Sequence, residues 1–156
     1  RADELVGAYE NNIDRNLAQA AGRSRRPKVY FEEWDDPQIS GIRWVSELIT
    51  IAGGDDIFPE LAVCPDGKSR IIADPEEVIG RAPDIIIGSW CGKKFRPEKV
   101  AARQGWDAIP AVQNGDIYEI KSAQILQPGP AALTDGLEQL REIIGRWAAC
   151  IRSSMC

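Results

Sequence analysis

Apolar residues along this chain fall into alternating stretches of helical and strand-like spacing. Over residues 3–22, Leu5, Val6, Tyr9, Ile13 and Leu17 recur mostly at intervals of three and four with charged residues between them, which predicts an amphipathic helix. The basic segment Gly22-Arg23-Ser24-Arg25-Arg26-Pro27 ends it and reads as a solvated turn. Lys28–Phe31 is a short β run closed by the polar segment Glu32–Pro37. A second helix from about Ser40 to Ala52 sets Ile42, Val45, Leu48, Ile49 and Ala52 on one stripe and stops at Gly53-Gly54. Residues 55–62 fit one more short helical turn.

Arg70–Ala73 reads as a strand. Asp74-Pro75-Glu76-Glu77 predicts a helix start, with Asp74 as N-cap, Pro75 in the first helical position and Glu77 closing a capping box. Ile85-Ile86-Ile87-Gly88 is an uninterrupted apolar run, as expected for a strand covered on both faces. After a loop at Ser89–Phe95, Arg96-Pro97-Glu98 opens a helix to about Arg103. Ile109–Val112 and Ile117–Ile120, on either side of Asn114-Gly115, read as two short β pieces. Gly129-Pro130 starts a last helix, in which Leu133, Leu137, Leu140, Ile144 and Trp147 share one face. This alternation predicts a three-layer α/β domain with a mostly parallel central sheet and helices on both faces. At 156 residues one domain is the expectation, and no internal repeat or low-complexity tract interrupts it.

Charge and composition narrow the chemistry. The net charge of −5 argues against nucleic acid as a partner, because phosphate neutralisation needs a basic face. The apolar runs are too short to span a bilayer. A histidine count of zero excludes a Ser-His-Asp triad, a Cys-His dyad and a His-liganded zinc site. Cys64, Cys91, Cys150 and Cys156 contain no Cys-x-x-Cys spacing, so neither a zinc ribbon nor a thioredoxin-type motif is present; two disulfides and free thiols both remain open. No metal site and no cofactor are expected.

Open α/β sheets bind ligands at the carboxyl ends of their strands. Those ends gather Glu32, Glu33, Trp34, Asp35 and Asp36, then Ser89, Trp90, Cys91, Lys93 and Lys94, then Lys121, Ser122, Gln124 and Gln127. Loop tryptophans beside a few polar groups suit a large, flat, partly apolar ligand, although core packing is the alternative for Trp34 and Trp90. Trp44, Trp106 and Trp147 are assigned to packing. A second class of function stays open: a small α/β enzyme using Cys91, whose neighbours Lys93 and Lys94 would favour a thiolate, or the acidic loop 32–36.

The segments Val29-Tyr30-Phe31-Glu32-Glu33-Trp34-Asp35-Asp36-Pro37, Ala52-Gly53-Gly54-Asp55-Asp56-Ile57-Phe58, Asp74-Pro75-Glu76-Glu77-Val78 and Arg81-Ala82-Pro83-Asp84-Ile85-Ile86-Ile87 form an ordered series. Trp106–Val112 and Gly115–Ile120 continue it. The series resembles the C-terminal lobe of substrate-binding proteins of ABC importers for cobalamin and iron-siderophores, over about residues 26–148. That family has two α/β lobes joined by one long helix, with ligand clamped between them. The resemblance implies that residues 1–24 are the distal part of the linking helix, 25–150 the C-terminal lobe and 151–156 a tail, with an N-terminal lobe and export signal expected ahead of Arg1. It implies a non-enzymatic solute receptor that is periplasmic or lipid-anchored outside the cytoplasm, with a corrinoid or iron chelate as ligand and an ABC permease as partner. Glu76 matches the family's permease-docking glutamate; as a residue it is also simply an acid favoured by a helix N-terminus. Trp34, Trp90, Lys93 and Glu33 are the expected ligand-side residues, together with Arg70 and Gln127: Arg70 or Ile71 stands where cobalamin binders carry an aromatic, and Gln127 near where they carry an arginine. A lone lobe offers half a cleft, so weak ligand binding and self-association are expected of it.

Overall fold

The computed structural model describes residues 1–154. Helix α1 (Ala2–Ala21) leads into strand β1 (Lys28–Asp35), then β2 (Gln38–Ser40), α2 (Arg43–Ala52), β3 (Asp55–Asp56), α3 (Pro59–Ala62), α4 (Glu76–Arg81), β4 (Ile85–Gly88), α5 (Pro97–Ala101), α6 (Pro110–Asn114), β5 (Ile117–Glu119), α7 (Ser122–Ile125) and α8 (Leu137–Ser154). The sheet runs β2-β1-β4-β5, with β3 beside the start of β1. β1 pairs in parallel with β3 and β4, and β4 with β5, while β2 returns antiparallel along the end of β1.

Strand parity divides the core into two. Val29 and Phe31 of β1, with Ile85 and Ile87 of β4, pack against α2 and α8 through Val45, Leu48, Ile49, Leu140, Ile144 and Trp147. Tyr30 and Ile86 face the other way, onto Val78 of α4, Val100 of α5, Trp106, Ile109 and Ala111. All four residues of β4 are buried, as an uninterrupted apolar run requires. The result is the expected three-layer α/β fold with a mostly parallel sheet. Trp106 and Trp147 are core residues, and Trp44 is half-buried with its indole N–H donating to the Ile125 carbonyl at 2.9 Å.

Several local expectations need correction. β1 continues through Glu32–Asp35, because β2 supplies a hydrogen-bonding partner for the polar segment read as a closing loop. Residues 55–62 divide into β3 and α3. Arg70 sits in a tight 3-10 turn (Lys68–Arg70), and the expected strand at Arg70–Ala73 shrinks to one bridge between Ile71 and Ile39. Ile109–Val112 is helical: Pro110 occupies the first turn, where its missing N–H costs nothing, and Gly115 closes the helix with φ +73°. Pro75, expected in the first helical position, is itself the N-cap of α4 and makes no side-chain cap; Asp74, one residue ahead of it, accepts the Glu76 N–H at 2.9 Å, and Glu77 turns to Arg81 instead of closing a capping box. The basic turn after α1 is not merely solvated. Arg23 donates to the Ala52 carbonyl at 3.0 Å, and Arg26 to the carbonyls of Thr50 at 3.0 Å and Gly54 at 2.8 Å. Both arginines thereby bring a charged donor to carbonyls at and just beyond the end of α2, where Thr50 also accepts the Gly53 N–H at 3.1 Å. The expected tail is helical through Ser154, so α8 extends past residue 150. Cys64, Cys91 and Cys150 are free thiols, and Cys156 lies outside the described residues.

Candidate functional site

The carboxyl ends of β1, β4 and β5 form one rim, and its central feature is buried. Glu32 shares the face of Tyr30 and is 1% exposed. A carboxylate so placed needs partners, and it has four hydrogen bonds. The Tyr30 hydroxyl donates to it at 2.8 Å, the Trp90 indole N–H at 3.1 Å, and Arg103 Nη1 and Nη2 at 2.7 and 2.9 Å. The two Arg103 bonds make a bidentate, charge-assisted pair. Burial works against the Arg103 charge, yet the Glu32 carboxylate holds its pKa above the ordinary arginine value. Burial beside the same carboxylate pushes the Tyr30 phenol well up. Arg103 also lies over the Trp106 ring, 4.6 Å from its centroid.

Trp90, expected on the ligand-facing rim, is therefore interior, 5% exposed. It meets Phe95 edge-on at 4.9 Å, so the loop between β4 and α5 is anchored at both ends while Cys91, Gly92 and Lys94 are exposed between them. Lys93 folds back from that tip. Its ammonium bonds Asp35 at 2.6 Å and sits 5.5 Å from the Trp34 ring centroid and 5.3 Å from that of Trp90. Trp34 is half-buried, its indole N–H donating to the Asp36 carbonyl at 3.0 Å. Of the sequence-selected residues, Trp34, Trp90 and Lys93 are thus brought into one cluster around Asp35.

Glu33 and Arg70 form a separate pair. Arg70 is 4% exposed, bonds Glu33 at 2.9 Å and donates to the Ser40 carbonyl at 2.6 Å, while the Ile42 N–H donates to Glu33 at 2.6 Å. Burial raises the Glu33 pKa, partly offset by Arg70 and the Ile42 N–H. Arg70, expected on the ligand side, is thus buried, and its guanidinium fastens the turn at Lys68–Arg70 to the β2–α2 junction. Gln127 is exposed between α7 and α8, away from any bond to the Trp34 cluster. Glu76 is exposed at the start of α4, with no ion pair among the described residues. Glu32 stands among the strand-end residues read from sequence but not among the expected ligand-side residues, and Arg103 is in neither group. The parity of β1 could have placed Glu32 inward beside Tyr30, but nothing local marks a partner 71 positions away.

Two buried polar atoms near the rim, Asp35 Oδ1 and Ser89 Oγ, have no hydrogen-bond partner among the described residues. Cys91 is exposed, and the adjacent Lys93 amine is committed to Asp35 rather than to the thiol. Among the described residues no group of Cys, Asp and Glu is arranged to hold a metal ion. A groove of about 390 Å³ lies elsewhere, between α1, α2 and the π-helical turn Ala132–Gly136, and is lined by Ile13, Trp44, Leu48, Ile51 and Leu133.

The architecture and sequence match known proteins over most of the chain. An uncharacterised ABC transporter substrate-binding lipoprotein of Bacillus subtilis is 22% identical over 149 residues, 92% of this chain and 44% of that protein. A possible iron-binding, periplasmic solute-binding protein of Staphylococcus epidermidis superposes with a TM-score of 0.75 at 24% identity, covering 92% of this chain and 54% of that one. The periplasmic vitamin B12 binding protein of Vibrio cholerae gives 0.64 at 20% identity, covering 88% and 51%. The chain thus spans about half the length of the relatives it matches. The periplasmic binding protein family, a family of binding proteins rather than enzymes, matches residues 1–124, and this chain belongs to it.

Proposed function

We propose that this chain is the C-terminal lobe of the solute-binding component of an ABC importer, acting outside the cytoplasm and handling a large metal chelate such as a corrinoid or an iron-siderophore complex. The observation that carries the reading is the cluster of Trp34, Lys93 and Asp35 at the carboxyl ends of the parallel strands, where this sheet class takes its ligands. An aromatic face and an ammonium suit the periphery of a large chelate. The orphaned Asp35 Oδ1 and Ser89 Oγ would find hydrogen-bond partners in a ligand or in the water it retains. Relatives described as binding vitamin B12 or iron support the same class. Gln127 is assigned to the outer part of this surface, and Glu33 with Arg70 to the support of its base. The exposed Glu76 is the proposed contact to a basic permease surface, and complementary charge there would steer docking. A lipid anchor or a free periplasmic form both fit this placement.

Calorimetric titration tests the proposal. Cyanocobalamin and a ferric hydroxamate are titrated into this chain and into the full-length gene product. The expected result is binding of one of them by the full-length protein, weakened by Trp34→Ala and Lys93→Ala, and little or none by the lobe alone. Failure of the full-length protein to bind either chelate overturns the proposed cargo class, and transport unaffected by Glu76→Lys overturns the docking assignment.

A further inference from the structure

We infer that Arg103 is a positioning residue for the ligand-facing rim, acting through the buried Glu32 carboxylate and the Trp90 indole to fix the Lys93 ammonium between Trp34 and Trp90. The inference rests on the reading of that rim as ligand-facing. Arg103 itself follows α5 and, among the described residues, makes no hydrogen bond to Lys93, Trp34 or Asp35, although its charge is felt at Asp35. What it holds is Glu32, bidentately at 2.7 and 2.9 Å. Glu32 Oε1 accepts both an Arg103 N–H and the Trp90 indole N–H, so one oxygen joins the guanidinium to the ring. The other face of the arrangement is Lys93, 5.3 Å from the Trp90 centroid and bonded to Asp35 at 2.6 Å. Three separate stretches of chain, the end of β1, the loop after β4 and the segment after α5, are thereby joined by polar contacts of fixed direction.

The direction of these contacts gives the inference its content. Apolar packing against Phe95 restrains where Trp90 lies, but the ring's rotation about its own axis is fixed by the one polar atom it carries, which points at Glu32. Without Arg103, Glu32 would be a buried carboxylate lacking its cation. It would take up a proton or recruit water, and either change alters the acceptor offered to Trp90. The ring would then lose its set orientation, and Lys93 would lose one of its two aromatic walls.

Differential amine labelling reads this directly and needs no ligand, so its failure is separable from failure of the cargo proposal. The intact chain is treated with limiting acetylating reagent, and the Lys93 to Lys94 modification ratio is measured by mass spectrometry. Lys94, its neighbour on the same loop tip, is exposed and serves as the internal reference. In the unaltered chain the ratio should lie below one: the Lys93 side chain is 45% exposed, but its amine must leave Asp35 and both rings to react. Arg103→Met should raise it severalfold toward one. Arg103→Lys should restore part of the protection, since it returns the charge without the bidentate geometry. Arg141→Met, which removes the ion pair to Glu138 on α8 across the sheet, controls for general loosening and should leave the ratio unchanged. Should Arg103→Met not fold, Trp90→Phe keeps an aromatic ring and deletes the N–H, and it should raise the ratio as well. A folded Arg103→Met protein with the original ratio overturns the inference, as does an unchanged ratio in Trp90→Phe.

Discussion

The Phe95 ring occupies the space that a side chain on Gly88 would need. A Cβ built on Gly88 would stand 1.9 Å from Phe95 Cε2 and 2.2 Å from Cδ2, well inside any tolerable contact. Gly88 ends β4 on the face where Ile86 packs, so glycine is required there for close approach rather than for backbone freedom. Phe95 in turn holds Trp90 and closes the loop that carries Lys93. Gly88→Ala should therefore displace the ring and destabilise the domain by about 1–3 kcal/mol, as overpacking of a dense core does. Urea denaturation checks the magnitude. A midpoint equal to that of the unaltered chain would show that Phe95 can leave without cost.

Arg26 should matter more than its exposed setting suggests. Its guanidinium donates to the carbonyls of Thr50 and Gly54 and to Asp55 at 2.9 Å, joining the turn after α1 to the end of α2 and the start of β3. Hydrogen bonds from a charged donor to carbonyls around a helix end justify a loss of about 1–2 kcal/mol of stability for Arg26→Met, after discounting for solvent exposure. Lysine should recover little, because one ammonium cannot span three acceptors in the same plane. Thermal denaturation of the Met and Lys variants tests both statements.

Much of this architecture is readable from residue spacing alone. The stripes Val45, Leu48, Ile49, Ala52 and Leu137, Leu140, Ile144, Trp147 are buried as their period demands, and the Ile85–Gly88 run is covered on both faces. Spacing fails where a short apolar run is ambiguous. Ile109–Val112 has strand composition, yet Pro110 and Gly115 bracket it as a helix. Within the site, loop position suggests exposure for Trp90. Its indole N–H instead has a buried acceptor supplied by a strand 58 residues earlier. Arg70 is illegible for the same reason: a charged residue is read as exposed unless its partner is known, and Glu33 is far away in sequence. Parity predicts which way a side chain points; it does not predict which distant group meets it.

Stability should fall with rising pH on account of two carboxylates. Burial raises the pKa of Glu33 and of Asp56, in each case outweighing the hydrogen bonds that pull it back. The folded chain then binds these protons more tightly than the unfolded chain, so stability declines as pH climbs from the ordinary values, 3.8 for Asp and 4.5 for Glu, through the raised ones. Glu60 and Glu138 work in the opposite sense, since their arginine partners lower them, but both are largely exposed and screened. Glu33→Gln removes one titrating group. It should carry a constant penalty from leaving Arg70 unpaired, and a shallower decline above pH 4.5 than the unaltered chain. Denaturant midpoints taken at intervals from pH 4.5 to neutrality read the slope, and parallel curves for the two proteins would refute the role of Glu33.

Helix α1 buries little of its own length, which has a consequence for the chain in solution. Only Asn16 and Ala20 are buried along its 20 residues, whereas Leu5, Val6 and Leu17 are 54%, 53% and 43% exposed. These belong to the same amphipathic stripe as Ile13, which lines the apolar groove with Trp44 and Leu133. The stripe thus continues from a covered segment into an uncovered one. A contiguous exposed apolar surface favours association, and in the absence of another covering segment a second copy supplies the same stripe in return. Sedimentation velocity should show mass increasing with concentration, and the double variant Leu5→Glu, Val6→Glu should restore the monomer. A Cβ added at the adjacent Gly7 would meet nothing within 4 Å, so these helix turns are free of packing that the substitutions could disturb. A monomer at every concentration would mean that the exposed leucine and valine are too few to drive association. An oligomer that survives the double substitution would place the contact on another face.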